Sequence, residues 1–383
     1  MVTSDFSLIA GKIKPFLVME ILDRAKQLEE SGKDIIHLEI GEPDFKTPEV
    51  ARRAAIEAIE GGLTGYTHSL GLSSLRQAIC HHYQKEHNVK ITPERIIVSS
   101  GTSPLLLLTL ATMINPGDEV ILTNPSYACY PNFVVFLGGK CSFVDLDPET
   151  GFDFQAEKIK KSITNKTKAI IINSPSNPTG MVIKGEELEA LGQFGPKVIS
   201  DEIYHGLVYE DKARSFLEFS DEATIINGFS KLYAMSGWRI GFAISDEKRI
   251  RAMQKIQQNF FISASNFGQQ AAMAALNNTE QFLPQMIKTY NQRRTLLLEE
   301  LPKIGFKILK APTGAFYILA DAREFCKSSY DFAFELLEKT GVAVTPGIDF
   351  GQNAEGFIRF SYTNSIERIK EAVSRLKDYL AKR

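Results

Sequence analysis

The stretch KAIIINSP, residues 168–175, carries four apolar residues in a row, Ala169 to Ile172, and then breaks into the proline-rich turn NSPSNPTG at 173–180. A strand with one wet face alternates polar and apolar positions, whereas a strand covered on both faces does not. Five further runs read in a similar way: RIIVSS (95–100), DEVILTNP (118–125), KVISDEIY (197–204), ATIINGFS (223–230) and RIGFAIS (239–245). Helical patterns separate them. That order predicts a mostly parallel sheet sandwiched between helices, an α/β fold.

The last third reads differently. GFKIL, GAFYILA, VAVTPG and GFIRFSYT are strand candidates among helices, which predicts a smaller α+β part at the C-terminus. Residues 279–301 read as one long connecting helix. In the final helix Ile366, Ile369, Val373, Leu376 and Leu380 recur at helical spacing. Asn364, with Glu367 three residues on, is the expected cap there.

Composition excludes several classes of partner. The chain has 383 residues, and 44 basic residues nearly cancel 46 acidic ones, so no electrostatic footprint for nucleic acid or an anionic membrane surface is present. The most apolar run, Leu105 to Ile114, is shorter than the ~20 residues a membrane span needs. Cys80, Cys129, Cys141 and Cys326 are widely spaced and form no metal motif. They are expected to be reduced, mostly buried thiols in a cytoplasmic protein, and no targeting segment is read at the N-terminus.

Ligands of parallel α/β sheets bind at the carboxyl ends of the strands, so the residues just beyond each run are the candidates for chemistry. After RIIVSS come Gly101, Thr102 and Ser103, with Ser103 the expected helix cap and Pro104 the first helical residue. A helix start of this kind suits an anion, most often phosphate, though any capped helix after a strand looks alike. After KVIS come Asp201 and Tyr204, either a turn carboxylate with a packing phenol or a buried partner for a cationic ring nitrogen beside a phenol for a ring oxygen. Asn-Pro pairs at 124/125 and 177/178 each come after a strand and suggest rigid walls. In GFSKLYAMSGWRIG (228–241), Lys231 taken alone is a solvated loop lysine. Beside a phosphate cradle, an acidic partner and an Asn/Tyr pair, it becomes a lysine able to form a Schiff base. Together these features describe a pocket for pyridoxal 5′-phosphate.

From LEIGEPDFKTP (38–48) to FIRFSY (357–362) the chain resembles the class I/II aminotransferases of pyridoxal phosphate fold type I, the aspartate aminotransferase-like enzymes. GEPDF, GYTHSLGLSSLRQAI, NPSYACYPN, NSPSNPTG, SDEIYHGLVY, GFSKLYAMSGWRIG and FIRFSY carry the likeness in order. The resemblance implies a large cofactor-binding domain (45–285) built on a mostly parallel seven-stranded sheet, with residues 1–44 and 286–383 forming the small domain. It implies that Lys231 bears the cofactor as a Schiff base and shuttles a proton from the substrate Cα, that Asp201 faces the ring nitrogen, and that Asn177 and Tyr204 meet the ring oxygen. Tyr127 would stack on the ring. Gly101, Thr102, Ser103 and Arg239 would hold the phosphate, with Tyr66 reaching the site of a second subunit in a homodimer. Arg359 would grip the α-carboxylate of the substrate, with Gly41 and Asn177 alongside. Without the resemblance Arg359 reads equally as part of a solvated strand face, with Phe357, Arg359 and Ser361 on one side and Ile358 and Phe360 on the other.

The chain departs from the pattern at two places. Gly228 stands where many relatives carry a phosphate-binding serine, and the adjacent Ser230 is expected to point elsewhere. The lysine that pairs with a distal carboxylate in some aspartate-specific relatives is replaced by Ser103, leaving Lys12, Lys14 or a partner residue as substitutes. Phe16, Leu17 and Val18, in the segment that covers the site in relatives, suggest an apolar side-chain pocket. The expected reaction moves an amino group from a neutral or aromatic L-amino acid to a 2-oxo acid such as 2-oxoglutarate, and a second oxo acid runs the steps backward. Aspartate and alanine are further candidate donors. A carbon–sulfur β-lyase is the competing chemistry on the same fold. A ligand-sensing regulator would need a DNA-binding domain for which the chain leaves no room, and a nicotinamide dehydrogenase would need a GxGxxG that does not occur.

Overall fold

The computed structural model describes residues 7–210 and 212–382. After the short strand β1 (Ile36–His37), the chain lays down β2 (Ile96–Ser99), β3 (Glu119–Asn124), β4 (Lys140–Asp145), β5 (Thr167–Asn173), β6 (Lys197–Asp201), β7 (Thr224–Gly228) and β8 (Gly241–Ile244). These last seven form one sheet in the order β2-β8-β7-β6-β5-β3-β4. β8 alone runs antiparallel to its neighbours, and the remaining pairings are parallel. β2 and β8 are buried throughout and β5 and β6 over their apolar runs, as consecutive apolar residues require. A smaller sheet, ordered β11-β12-β9, comes from β9 (Tyr317–Asp321), β11 (Thr345–Pro346) and β12 (Phe357–Ser361), while β10 (Val342–Ala343) pairs in parallel with β1.

β4 has no counterpart among the sequence runs. It stands at one edge of the sheet and has a mixed pattern, with Lys140 and Phe143 exposed and Val144 buried, whereas β2 at the other edge is buried throughout. Several expectations need correcting. GFKIL makes only an isolated bridge, Lys307 to Asp321. The connecting helix is interrupted: a 3-10 turn, Thr279–Gln281, precedes the helix Leu283–Lys303, whose Pro284 stands at its start, where the missing N–H costs nothing. The last helix, Ile366–Leu380, is capped by Ser365, whose Oγ accepts from Arg368 N–H at 3.2 Å, while Asn364 accepts from Ser365 N–H instead. Cys80, Cys129, Cys141 and Cys326 are half-buried rather than buried. Both faces of β12 are covered, so no solvated face exists there.

The N-terminal segment joins the C-terminal part through the β1–β10 pairing and carries a small ionic cluster of its own. His37 Nδ1 lies 2.8 Å from Glu39 Oε1 and its Nε2 lies 3.1 Å from Glu29 Oε1. The hydrogen bond to Glu39 chiefly, against the effect of burial, pushes the His37 pKa up to about 9. A histidine whose folded value exceeds its unfolded one stabilises fully below about 6.5, and that contribution fades as pH rises through about 9. His37→Gln is expected to lower unfolding stability by about 1–2 kcal/mol at pH 6. Chemical denaturation from pH 6 to pH 10 should show the difference from wild type shrinking across that upper range; a constant difference would rule the cluster out as its source.

Candidate active site

The antiparallel direction of β8 organises the site. Gly241, its first residue, pairs with both Ser99 at the end of β2 and Gly228 at the end of β7. Arg239 just before β8, Gly101 just after β2 and Lys231 just after β7 are therefore delivered to one edge of the sheet. Asp201 ends β6 and Asn177 lies in the turn after β5.

A cavity of about 280 Å³ opens at that edge, with Lys231, Asp201, Asn177, Tyr204, Arg239 and Arg359 among its walls. Thr102, Ser103, Tyr127, Gly41, Phe16 and Val18 also line it. Of the sequence-predicted residues, Gly101 and Tyr66 are absent from the lining, and Tyr66 is 82% exposed. Leu17 is absent from the lining, as are Lys12 and Lys14, both exposed.

Lys231 is half-buried, and its Nζ donates to the Gly41 carbonyl at 2.6 Å. Burial disfavours the ammonium and brings its pKa down to about 8. Asp201 is 5% exposed. It accepts from the Tyr130 hydroxyl at 2.7 Å and from Ile203 N–H at 3.2 Å, yet burial outweighs both bonds and raises its pKa to about 6. Tyr204 and Tyr317 share a hydroxyl–hydroxyl hydrogen bond of 2.8 Å.

Arg359 reaches across from β12. Its guanidinium donates to Asn177 Oδ1 at 2.7 Å, to Thr345 Oγ1 at 3.1 Å and to the Glu39 carbonyl. The same group lies 4.3 Å from the ring centre of Tyr317 and 4.9 Å from that of Phe350. Its Nε is buried and has no partner among the described residues. A buried guanidinium that faces a cavity with an unmet donor and no carboxylate bonded to it is suited to receive one.

The turn expected to hold the phosphate differs in detail from expectation. Gly101, not Ser103, is the N-cap of the helix Thr102–Ala111, and no side chain caps it. Gly101 has φ +93°, and a Cβ there would stand 2.5 Å from an Arg239 guanidinium nitrogen. Only glycine allows both that turn and that approach. Gly228 has a similar cause: a Cβ would meet the Gly241 Cα and the Ile240 carbonyl at 3.0 Å. Ser230, expected to point elsewhere, lines the cavity and is the nearby hydroxyl that this chain retains.

Two further residues went unnoticed in the sequence. Tyr130 holds Asp201 and stands within NPSYACYPN; Tyr317 lies under Arg359 and reads in GAFYILA as an ordinary packing residue. Only the spacing of Tyr130 from Tyr127, one helical turn, could have marked it.

These walls fit pyridoxal phosphate. Free N–H groups and hydroxyls at a helix start beside Arg239 suit the phosphate, and a buried carboxylate with no cation bonded to it suits a protonated ring nitrogen. Lys231 has its amine in the same space.

Comparison with known proteins agrees. The family model for class I and II aminotransferases matches residues 33–376. A (5-formylfuran-3-yl)methyl phosphate transaminase of Methanocaldococcus jannaschii is 46% identical over 96% of this chain and 97% of its own length. A crystal structure from Methanococcus jannaschii, described as similar in its active site to kynurenine aminotransferases, superposes with a TM-score of 0.92 at 44% identity, covering 98% of this chain and 100% of its own. The aspartate aminotransferase of Thermus thermophilus with maleate gives a TM-score of 0.94 at 37% identity, over 98% of this chain and 100% of its own. With matches of this extent, sheet order, cavity and sequence lead to one assignment: the chain belongs to the class I and II aminotransferases, a family dependent on pyridoxal 5′-phosphate.

Proposed function

We propose that this cavity carries out transamination between a neutral or aromatic L-amino acid and a 2-oxo acid, 2-oxoglutarate first among the acceptors, with Lys231 as the residue that bears the cofactor. The observation that carries the reading is the convergence of Lys231, Asp201 and Arg359, from the ends of two strands of the main sheet and from the small sheet, on one cavity. When bound, pyridoxal phosphate supplies an electron sink for the pair left at the substrate Cα. Lys231 takes the Cα proton; with a pKa near 8, its Nζ is neutral often enough at physiological pH to act as a base and is still a competent acid afterwards. Asp201, ionised above about pH 6, keeps the ring nitrogen protonated. Asn177 and Tyr204 serve the ring oxygen, Tyr127 the ring face, and Gly101, Thr102, Ser103 and Arg239 the phosphate. Arg359 orients the substrate by its carboxylate, with Gly41 and Asn177 alongside.

The donor preference rests on the remaining wall. Phe16, Val18, Met19 and Ile40 are apolar, and the lining cations, Lys231, Arg239 and Arg359, all have other assigned work. No cation of the described chain is left in the lining for a distal carboxylate. The name of the 46% identical relative adds a phosphorylated furan aldehyde to the acceptors to assay.

A homodimer completes the proposal. Thr67 N–H donates to Ser263 Oγ at 3.3 Å, which sets Tyr66 beside the segment 260–264, where Phe260 is 74% exposed. An exposed apolar surface of this kind supports a subunit contact, across which Tyr66 would serve the neighbouring site.

Three outcomes are expected. Wild-type protein with pyridoxal phosphate should show a visible absorbance band that single neutral or aromatic amino acids bleach, while Lys231→Ala lacks the band and transaminates at least about a thousandfold more slowly; a strong preference for aspartate over alanine, methionine and phenylalanine would overturn the donor assignment, and pyruvate released from cystine without an acceptor would indicate the lyase. Tyr130→Phe removes a bond that favours the Asp201 carboxylate, so the acid limb of the kcat/KM profile should move up by about one pH unit; an unmoved limb would mean that Asp201 does not set it. Light scattering should give twice the chain mass, and an active monomer would refute the shared site.

A further inference from the structure

The helix Leu17–Glu30 begins without a cap of its own. Phe16 occupies the N-cap position and has no side-chain acceptor, so the first N–H groups need partners from elsewhere. Asp349 provides them from the far end of the chain: Oδ1 accepts from Leu17 N–H at 3.0 Å and Oδ2 from Val18 N–H at 3.3 Å. Two residues before Phe16, Asn132 takes hold of the backbone of Lys14 in both directions. Lys14 N–H donates to Asn132 Oδ1 at 3.1 Å, and Asn132 Nδ2 donates to the Lys14 carbonyl at 3.1 Å.

Between these two clips lies Phe16, set edge-on to Tyr127 with ring centres 6.0 Å apart, and it lines the cavity together with Val18 and Met19. The clips stand on fixed ground. Phe350, next to Asp349, has its carbonyl bonded by Ser126 N–H at 3.0 Å and its ring 4.9 Å from the Arg359 guanidinium, and Ile348 N–H donates to Ser329 Oγ at 3.1 Å. Asn132 belongs to the short helix Tyr130–Phe136, whose first residue holds Asp201. Neither Asp349 nor Asn132 lines the cavity.

We propose that Asn132 and Asp349 are positioning residues that pin the strap 14–18 across the cavity mouth, and that by fixing Phe16 there they set the preference for bulky apolar donors. The inference rests on the reading of Phe16 and Val18 as the donor side-chain wall. Beyond the strap, Leu17–Glu30 buries Ile21, Leu22, Ala25 and Leu28, so loss of a clip frees the strap without unfolding the helix.

The test compares holoenzyme of wild type, Asp349→Ala, Asp349→Asn, Asn132→Ala and Phe16→Ala with phenylalanine and alanine as donors, and follows amide exchange by mass spectrometry. Either alanine variant at a clip should lower the phenylalanine-to-alanine ratio of kcat/KM about tenfold, through KM for phenylalanine more than through kcat. Peptides covering 13–20 should exchange faster, and those covering 21–28 should not change. Asp349→Asn, which keeps one acceptor oxygen, should fall between. Unchanged exchange at 13–20 in both clip variants would overturn the pinning, and faster exchange with an unchanged donor ratio would overturn the link to selectivity. If Phe16→Ala itself leaves the ratio unchanged, the donor-wall reading fails instead, whatever the exchange shows.

Discussion

One strand runs against the grain of its sheet, and the catalytic arrangement depends on it. Because β8 is antiparallel, the residues that precede it stand where the residues just after β2 and β7 stand, so Arg239, Gly101 and Lys231 are delivered to the same edge of the sheet. The junction is tight: a Cβ at Gly228 would press on the Gly241 Cα at 3.0 Å, and one at Gly101 would stand 2.5 Å from an Arg239 guanidinium nitrogen. A side chain at either position would part the backbones or displace Arg239, and the turn expected to hold the phosphate would lose its shape. The small residues at 101, 228 and 241 are thus a packing requirement with a chemical result.

A second constraint is the reach from one sheet to the other. Arg359 starts from the small sheet but bonds Asn177 in the turn after β5, and the same guanidinium is steadied by Thr345 and by the carbonyl of Glu39. On the proposed roles, the groups meant for the substrate carboxylate and for the cofactor share a hydrogen bond. A shift of the small sheet relative to the large one would alter both at once.

Much of this was legible in the sequence because parallel strands under helices must be apolar at consecutive positions, and their ends must be polar where they meet a ligand. Asp201 and Asn177 stand at such ends; Lys231 gains meaning only beside them, and Arg239 only through the family resemblance. β4 did not stand out, since the exposed Lys140 and Phe143 break its apolar pattern. Cap positions at Gly101 and Ser365 were misplaced by one or two residues, because neighbouring serines, asparagines and glycines can each satisfy a helix start and only backbone geometry chooses among them. Tyr317, Asn132 and Asp349 were invisible as functional candidates for a different reason. Each acts through a contact with a residue far away in the chain, and local pattern holds no record of such contacts.

Asp201 carries a wider consequence. A carboxylate whose pKa is raised from 3.8 to about 6 by burial makes the folded chain less stable at neutral pH, by about 3 kcal/mol on the scale of that shift. The burden is absent below the ordinary carboxylate range and complete above pH 6. A lineage or a directed-evolution experiment that screened only for survival at high temperature would discard this residue early, replacing it with a neutral one, and would record the loss as an improvement.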